Sequence, residues 1–88
     1  MKIRQDFVLR QVAGTHVVLP IGQATVDFNG MVTLNETGAF LWRLMEQETN
    51  RETLAAALAA EYEVSHEDAL RDVDAFVAML QPAGCIED

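Results

Sequence analysis

Residues able to do acid–base, nucleophilic or metal chemistry are few in this sequence, and they are far apart. The histidines are His16 and His66. Neither belongs to an HExxH motif or to another ligand pair at helical spacing. Cys85 is the single cysteine, so no internal disulfide can form and no zinc site needing two thiolates can be built. It stands beside Ile86, with no basic residue after Arg71 to lower its pKa, and reads as a buried, inert thiol. Ser65 next to His66 is not a nucleophile and base: adjacent side chains do not aim at each other, and Ser65 has a helix to cap. Asp68 and Asp72 are four apart, with Asp74 on a neighbouring face, a spacing that could imitate a metal or acid–base pair. With Arg71 between them on an acidic surface, a solvated helix face is the expected reading, and Asp68 is favourably placed in a first turn. There is no glycine-rich phosphate loop, EF-hand loop or CxxC. The expectation is a protein that is not an enzyme, with no catalytic residue, no metal and no cofactor.

Length and composition agree with that. The chain has 88 residues, of which 50% are hydrophobic and 23% charged. This is too apolar for a disordered tail and fits one domain over residues 1–88 with one modest core. No apolar run approaches the 18 or more residues a membrane helix needs, and the N-terminus lacks a signal-peptide pattern. A small chain without disulfides suits a reducing compartment, and the cytoplasm is the expectation. The net charge of −8 is unevenly spread: residues 1–44 carry +1, whereas residues 45–88 carry 11 acidic residues against Arg51 and Arg71, a net of −9. The second half would repel a phosphate backbone.

The elements change character near residue 35. From Phe7 to Leu34 the chain is rich in Val, Thr, Leu and Ile and is punctuated by glycines, which is short-strand composition. Phe7–Val12 and His16–Leu19 predict a hairpin turning at Ala13-Gly14, with Pro20 closing the second strand. Ala24–Phe28 reads as a fourth strand or an irregular extension. Asn29-Gly30 then offers a hairpin turn into Met31–Leu34. After Leu34 the period becomes about 3.6. A first helix is predicted over Glu36–Glu46, capped by Asn35 or by a Thr33–Glu36 capping box, with Phe40, Leu41, Leu44 and Met45 in one stripe and Trp42 to its side. Gly38 inside it costs propensity, which a close helix–sheet contact would explain. Thr49–Glu52 has capping-box spacing before a second helix carrying Leu54, Leu58 and Tyr62 on one face. Ser65–Asp68 opens a third, with Leu70, Val73, Phe76, Val77 and Leu80 inward, stopped by Gln81-Pro82-Ala83-Gly84. The fold class is therefore α+β: a small antiparallel sheet of three or four strands (about 7–34) followed by three helices (about 36–80), winged helix-turn-helix-like.

Such a shape invites DNA binding, yet the last helix carries Glu67, Asp68, Asp72 and Asp74 against Arg71 and has no Lys, Asn or additional Arg to read base edges. Charge outweighs shape. A sheet too small to close leaves an edge, and an edge beside a helix suits strand addition by a peptide, main-chain bonds giving affinity and the groove giving side-chain pockets. Met31–Leu34 is the candidate edge, because the helical part begins where it ends. Its being interior, or covered in a homodimer, is the rival.

The stretch Met31-Val32-Thr33-Leu34-Asn35-Glu36-Thr37-Gly38-Ala39-Phe40-Leu41-Trp42 resembles the signature of the PqqD family. Thr53-Leu54…Leu58…Tyr62 and Asp72-Val73-Asp74-Ala75-Phe76…Leu80…Gly84-Cys85-Ile86 resemble its closing segments. The resemblance spans about His16 to Ile86. It implies a winged-helix-like precursor-peptide recognition element that binds the leader of a ribosomally made peptide as an added strand. It would present that leader to a modifying enzyme, often of the radical S-adenosylmethionine class. Carried over by position, Met31, Val32, Thr33 and Leu34 would accept the peptide, and Leu70, Val73, Asp74 and Val77 of the last helix would supply the facing wall. The product could be pyrroloquinoline quinone or, as the favoured expectation, another modified peptide. Residues 22–30 are longer than a minimal strand connection. Proline at Val32 is expected to weaken binding if that N–H faces the edge. A winged-helix DNA-binding regulator and a structural homodimer module are the alternative functions, with no nucleic acid and no membrane expected as partners of the favoured one.

Overall fold

The computed structural model describes residues 1–22, 24–27 and 32–87. In chain order the elements are β1 (Lys2–Ile3), β2 (Phe7–Val12), β3 (Thr15–Pro20), α1 (Ala24–Asp27), β4 (Val32–Leu34), α2 (Glu36–Met45), α3 (Arg51–Tyr62), α4 (His66–Leu80) and β5 (Ile86–Glu87). The expected small antiparallel sheet followed by three helices is present, with strand order β2-β3-β4. A separate two-stranded clasp pairs β1 with β5. Its residues carry no alternation long enough to read from sequence. Arg4 N–H donates to the Cys85 carbonyl at 2.8 Å, extending the join between the two ends of the chain.

The β2–β3 hairpin follows from its turn. Ala13 and Gly14 both have positive φ, 51° and 81°, the mark of a two-residue type I′ turn whose twist suits paired strands. Pro20 is the last residue of β3, as anticipated. Of the stretch read as a fourth strand or an irregular extension, Ala24–Asp27 forms one helical turn, and Phe28 lies outside the described residues. Gly22 has φ 56°, and its carbonyl accepts from both the Thr25 hydroxyl (2.7 Å) and the Thr25 N–H (3.2 Å), closing the chain into a turn where alternation of types suggested extension. The Asn29-Gly30 turn and Met31 lie outside the described residues.

Each long helix is capped by a side chain that satisfies a first-turn N–H. Asn35 Oδ1 accepts from Gly38 N–H at 2.8 Å, Asn50 Oδ1 from Thr53 N–H at 2.9 Å, and Ser65 Oγ from Asp68 N–H at 3.1 Å. The cap of α3 is thus Asn50, one residue later than the Thr49 capping box places it. Leu41, Trp42 and Met45 of α2, Leu54, Ala55 and Leu58 of α3, and Ala69, Val73, Phe76 and Leu80 of α4 bury against Val18 and Leu34 of the sheet. Trp42, expected at the side of its helix's stripe, is fully buried, while Leu44 is exposed. Truncating Trp42 to Ala would therefore cost about 3–5 kcal/mol. Tyr62 is also exposed and meets Phe40 edge-on, ring centroids 5.5 Å apart.

Candidate functional site

The open edge follows from strand parity. The type I′ turn makes Val12–Thr15 a hydrogen-bonded pair, and bonded and non-bonded pairs alternate along an antiparallel ladder. Thr15, Val17 and Leu19 therefore bond toward β2, and the Ile21 N–H to Asp6 carbonyl bond of 2.8 Å continues the same series. His16 and Val18 bond the other way, toward β4, where their partners are Leu34 and Val32. Thr33 lies between those two and opposite Val17, so its N–H and C=O point out of the sheet. Among the described residues no strand pairs with that side of β4. Val32, by the same parity, spends its N–H on β3.

A groove of about 600 Å³ runs along this edge. Thr33, Leu34, Asn35, Thr37, Gly38 and Leu41 line one side, and Asp72, Ala75, Phe76 and Met79 of α4 line the other. Gly38 is what lets the two sides meet at the floor. A Cβ there would lie 3.3 Å from Leu34 Cβ, 3.3 Å from Phe76 Cε1 and 3.2 Å from Asn35 Oδ1, each tighter than ordinary contact. The close helix–sheet approach expected at Gly38 is thus present, and α4 joins it. His16 anchors β4 from behind: it is buried opposite Leu34, and its Nε2 lies 3.0 Å from Glu36 Oε1. His16 thereby ties the middle strand to the first turn of α2.

Of the residues expected to face a peptide, Thr33 and Leu34 line this groove, and Val32 is half-buried against the core beside it. Leu70, Val73, Asp74 and Val77 are not among its lining. At 100° per residue they fall on the flank of α4 opposite Asp72, Phe76 and Met79. Val73 is fully buried, and Leu70 and Val77 are half-buried against the core. Val73, Asp74 and Val77 instead border a smaller depression of about 190 Å³ with Met1, Arg51, Ala78 and Gln81. There Asp74 accepts two hydrogen bonds from Arg51, at 2.6 and 2.8 Å. The bond from Arg51 holds the Asp74 carboxyl below the usual carboxylate range and raises the guanidinium in turn. Ala75, Phe76 and Met79 were the residues to find, and their signal was the 3–4 spacing with Asp72 around one flank.

Cys85 is fully buried, and burial, with a smaller contribution from Asp6, pushes its thiol up to about 11. His66 is exposed, with Nε2 at 3.2 Å from Glu52. Arg71 reaches Asp68 at 3.1 Å and Glu67 at 3.9 Å. Among the described residues no group of three or more His, Cys, Asp or Glu could hold a metal ion, and no helix is long and apolar enough to cross a membrane.

A family model described as coenzyme PQQ synthesis protein D (PqqD) matches residues 15–86, a span that holds β3, β4, every helix and the whole groove. The chain belongs to the PqqD family. No curated protein matches it. Two solved structures resemble it over nearly their full length. One is TbiB1 in complex with the TbiA(beta) leader peptide, 25% identical, with a TM-score of 0.78 and 99% of this chain and 95% of that chain covered. The other is lasso peptide synthetase B1 complexed with the leader peptide, 26% identical, with a TM-score of 0.76 and coverage of 99% and 96%. The PqqD resemblance read from residues 31–42 and from the two closing segments is therefore correct, and so is the fold it implied.

Proposed function

We propose that this PqqD-family chain is a noncatalytic recognition element that binds the leader of a ribosomally synthesised precursor peptide and presents it to a modifying enzyme. The observation that carries this reading is the outward-facing edge of β4, centred on Thr33 and walled by α4 across the groove. A leader segment would add to that edge as a strand. Its backbone would exchange hydrogen bonds with Thr33, and every second side chain would enter the groove beside Gly38, Phe76 and Met79. Two structures of the same fold that hold leader peptides support it. Bound leader and bound enzyme together would raise the local concentration of substrate at the enzyme, with no chemistry done here. The enzyme partner is a peptide-modifying enzyme, and the radical S-adenosylmethionine class is the one the family resemblance favours. Work in the cytoplasm, on a peptide other than the precursor of pyrroloquinoline quinone, completes the reading.

A DNA-binding role finds no support in the exposed side of α4, which carries Glu67, Asp68, Asp72 and Asp74 with Arg71 already paired. Calorimetry with the leader encoded beside this gene tests the proposal. Saturable heat that is lost in Thr33→Pro supports it. No heat, together with binding to duplex DNA at about 0.15 M salt, would overturn it in favour of a regulator.

A further inference from the structure

The groove is chemically lopsided. Leu41, Phe76, Met79 and the bare backbone of Gly38 give it an apolar part, Thr33, Asn35 and Thr37 give it neutral polar groups, and Asp72 alone brings a charge to its lining. Residues 45–88 hold only two cations, Arg51 and Arg71, against 11 carboxylates. Arg51 is committed to Asp74 and Glu52, and Arg71 to Asp68 and Glu67. Among the described residues Asp72 has no ion partner, although Arg71 is its immediate neighbour in sequence. A cation on a bound segment would complete this wall.

Resting on the leader-binding reading above, we infer that Asp72 is a specificity residue for a Lys or Arg in the bound segment, set two residues from a large apolar side chain. The spacing follows from the two periodicities that meet in the groove. Asp72 and Phe76 share one flank of α4, four residues and about 6 Å apart along its axis. An added strand lying along that flank turns every second side chain inward, about 6.7 Å apart. One inward side chain fills the space over Gly38 and against Phe76 and Met79; the next, two residues along, reaches Asp72. An acidic residue at that place would meet Asp72 without a counter-charge and be rejected, so the carboxylate selects by repulsion as well as attraction.

The test is selection of displayed random 12-residue peptides on the full 88-residue chain in three forms: wild type, Asp72→Asn and Thr33→Pro. The wild-type pool is expected to carry Lys or Arg two positions from Phe, Leu, Ile, Met or Trp. The Asp72→Asn pool keeps the apolar preference and loses the basic one. A synthetic peptide from the wild-type pool should bind Asp72→Asn about fivefold more weakly, the upper end for a solvent-accessible ion pair, and Asp72→Glu should restore most of it. A basic preference absent from the wild-type pool, or unchanged in Asp72→Asn, overturns the inference while leaving leader binding intact. A pool that Thr33→Pro recovers equally well, or no enriched pool at all, overturns strand addition at β4 and this inference with it.

Discussion

Asp72 and Asp74 stand two residues apart on α4 and meet opposite surroundings. Asp74 is gripped by Arg51 through two short hydrogen bonds and helps tie α3 to α4. Asp72 faces the groove beside β4 with no cation among the described residues. Two residues turn a helix by 200°, so a pair that looks alike in sequence is divided between a flank tied to α3 and a flank that lines the groove. The same division runs through the apolar residues: Val73 and Val77 lie on Asp74's flank, Phe76 and Met79 on Asp72's. Identity of side chain does not separate the two flanks; what lies opposite does, Arg51 and Met1 on one and the open strand edge on the other.

Substitutions should break this contrast in graded steps. The largest effect belongs to Val73→Asp, which leaves an unpaired charge in a fully buried position. It should cost about 3–5 kcal/mol, read as a lowered urea midpoint. Next come two prolines placed one residue apart. Thr33→Pro removes an outward donor, so the melting temperature should hold within a few degrees while leader affinity falls at least about tenfold, somewhat beyond one net hydrogen bond because the ring also blocks the edge. Val32→Pro removes a donor bonded to β3, so its main effect should be lost stability rather than a selective loss of binding. Strand parity thereby moves the binding test proposed at Val32 to Thr33. Equal effects of the two prolines would contradict the parity.

Cys85 reports on the core behind both flanks. Its N–H approaches the Leu80 carbonyl at the end of α4, and its thiol is neutral near pH 8. Iodoacetamide at that pH should label it only as fast as the chain unfolds. Because burial raises this thiol, the folded state holds its proton longer than the unfolded chain does. Stability from this group is complete below the unfolded pKa and is lost as pH rises toward about 11. The smallest effect is expected from Asp74→Asn, since the pair with Arg51 is exposed. A slight fall in melting temperature at pH 7, with leader affinity unchanged, is the prediction. Asp74's carboxyl is depressed from an ordinary 3.8. Its contribution is thus present above that value and disappears as pH falls through the lower folded pKa, where wild type and variant should converge.

Much of this was legible in the residues. The Ala13-Gly14 turn, the Asn35 and Ser65 caps and the inward Leu54, Leu58, Phe76 and Leu80 all follow from local chemistry that the tertiary structure leaves undisturbed. The clasp of β1 and β5 was not legible, because two-residue strands have no period and their pairing spans the whole chain. Ala24–Asp27 misled because one helical turn is too short to show a 3.6 period, while Thr25 and Val26 favour extension by type alone. The groove's β4 side could be read from the signature stretch, since an edge strand followed at once by a helix leaves few arrangements. Its helical wall could not. Carrying the family pattern over by position selects Leu70, Val73, Asp74 and Val77, whereas the α4 side of the groove is Asp72, Ala75, Phe76 and Met79, and its floor leaves little room for a side chain at Gly38.

The most direct measurement is an amide-resolved NMR titration of the chain with the leader peptide encoded beside it. Strand addition at the open edge predicts the largest shifts at Thr33 and Leu34 and along Asp72, Ala75, Phe76 and Met79, with slowed exchange of the Thr33 amide and little change at Asp74 or Val77. Shifts concentrated along β2, the other edge of the sheet, or on the Val73, Asp74 and Val77 flank with Thr33 unmoved, would contradict it.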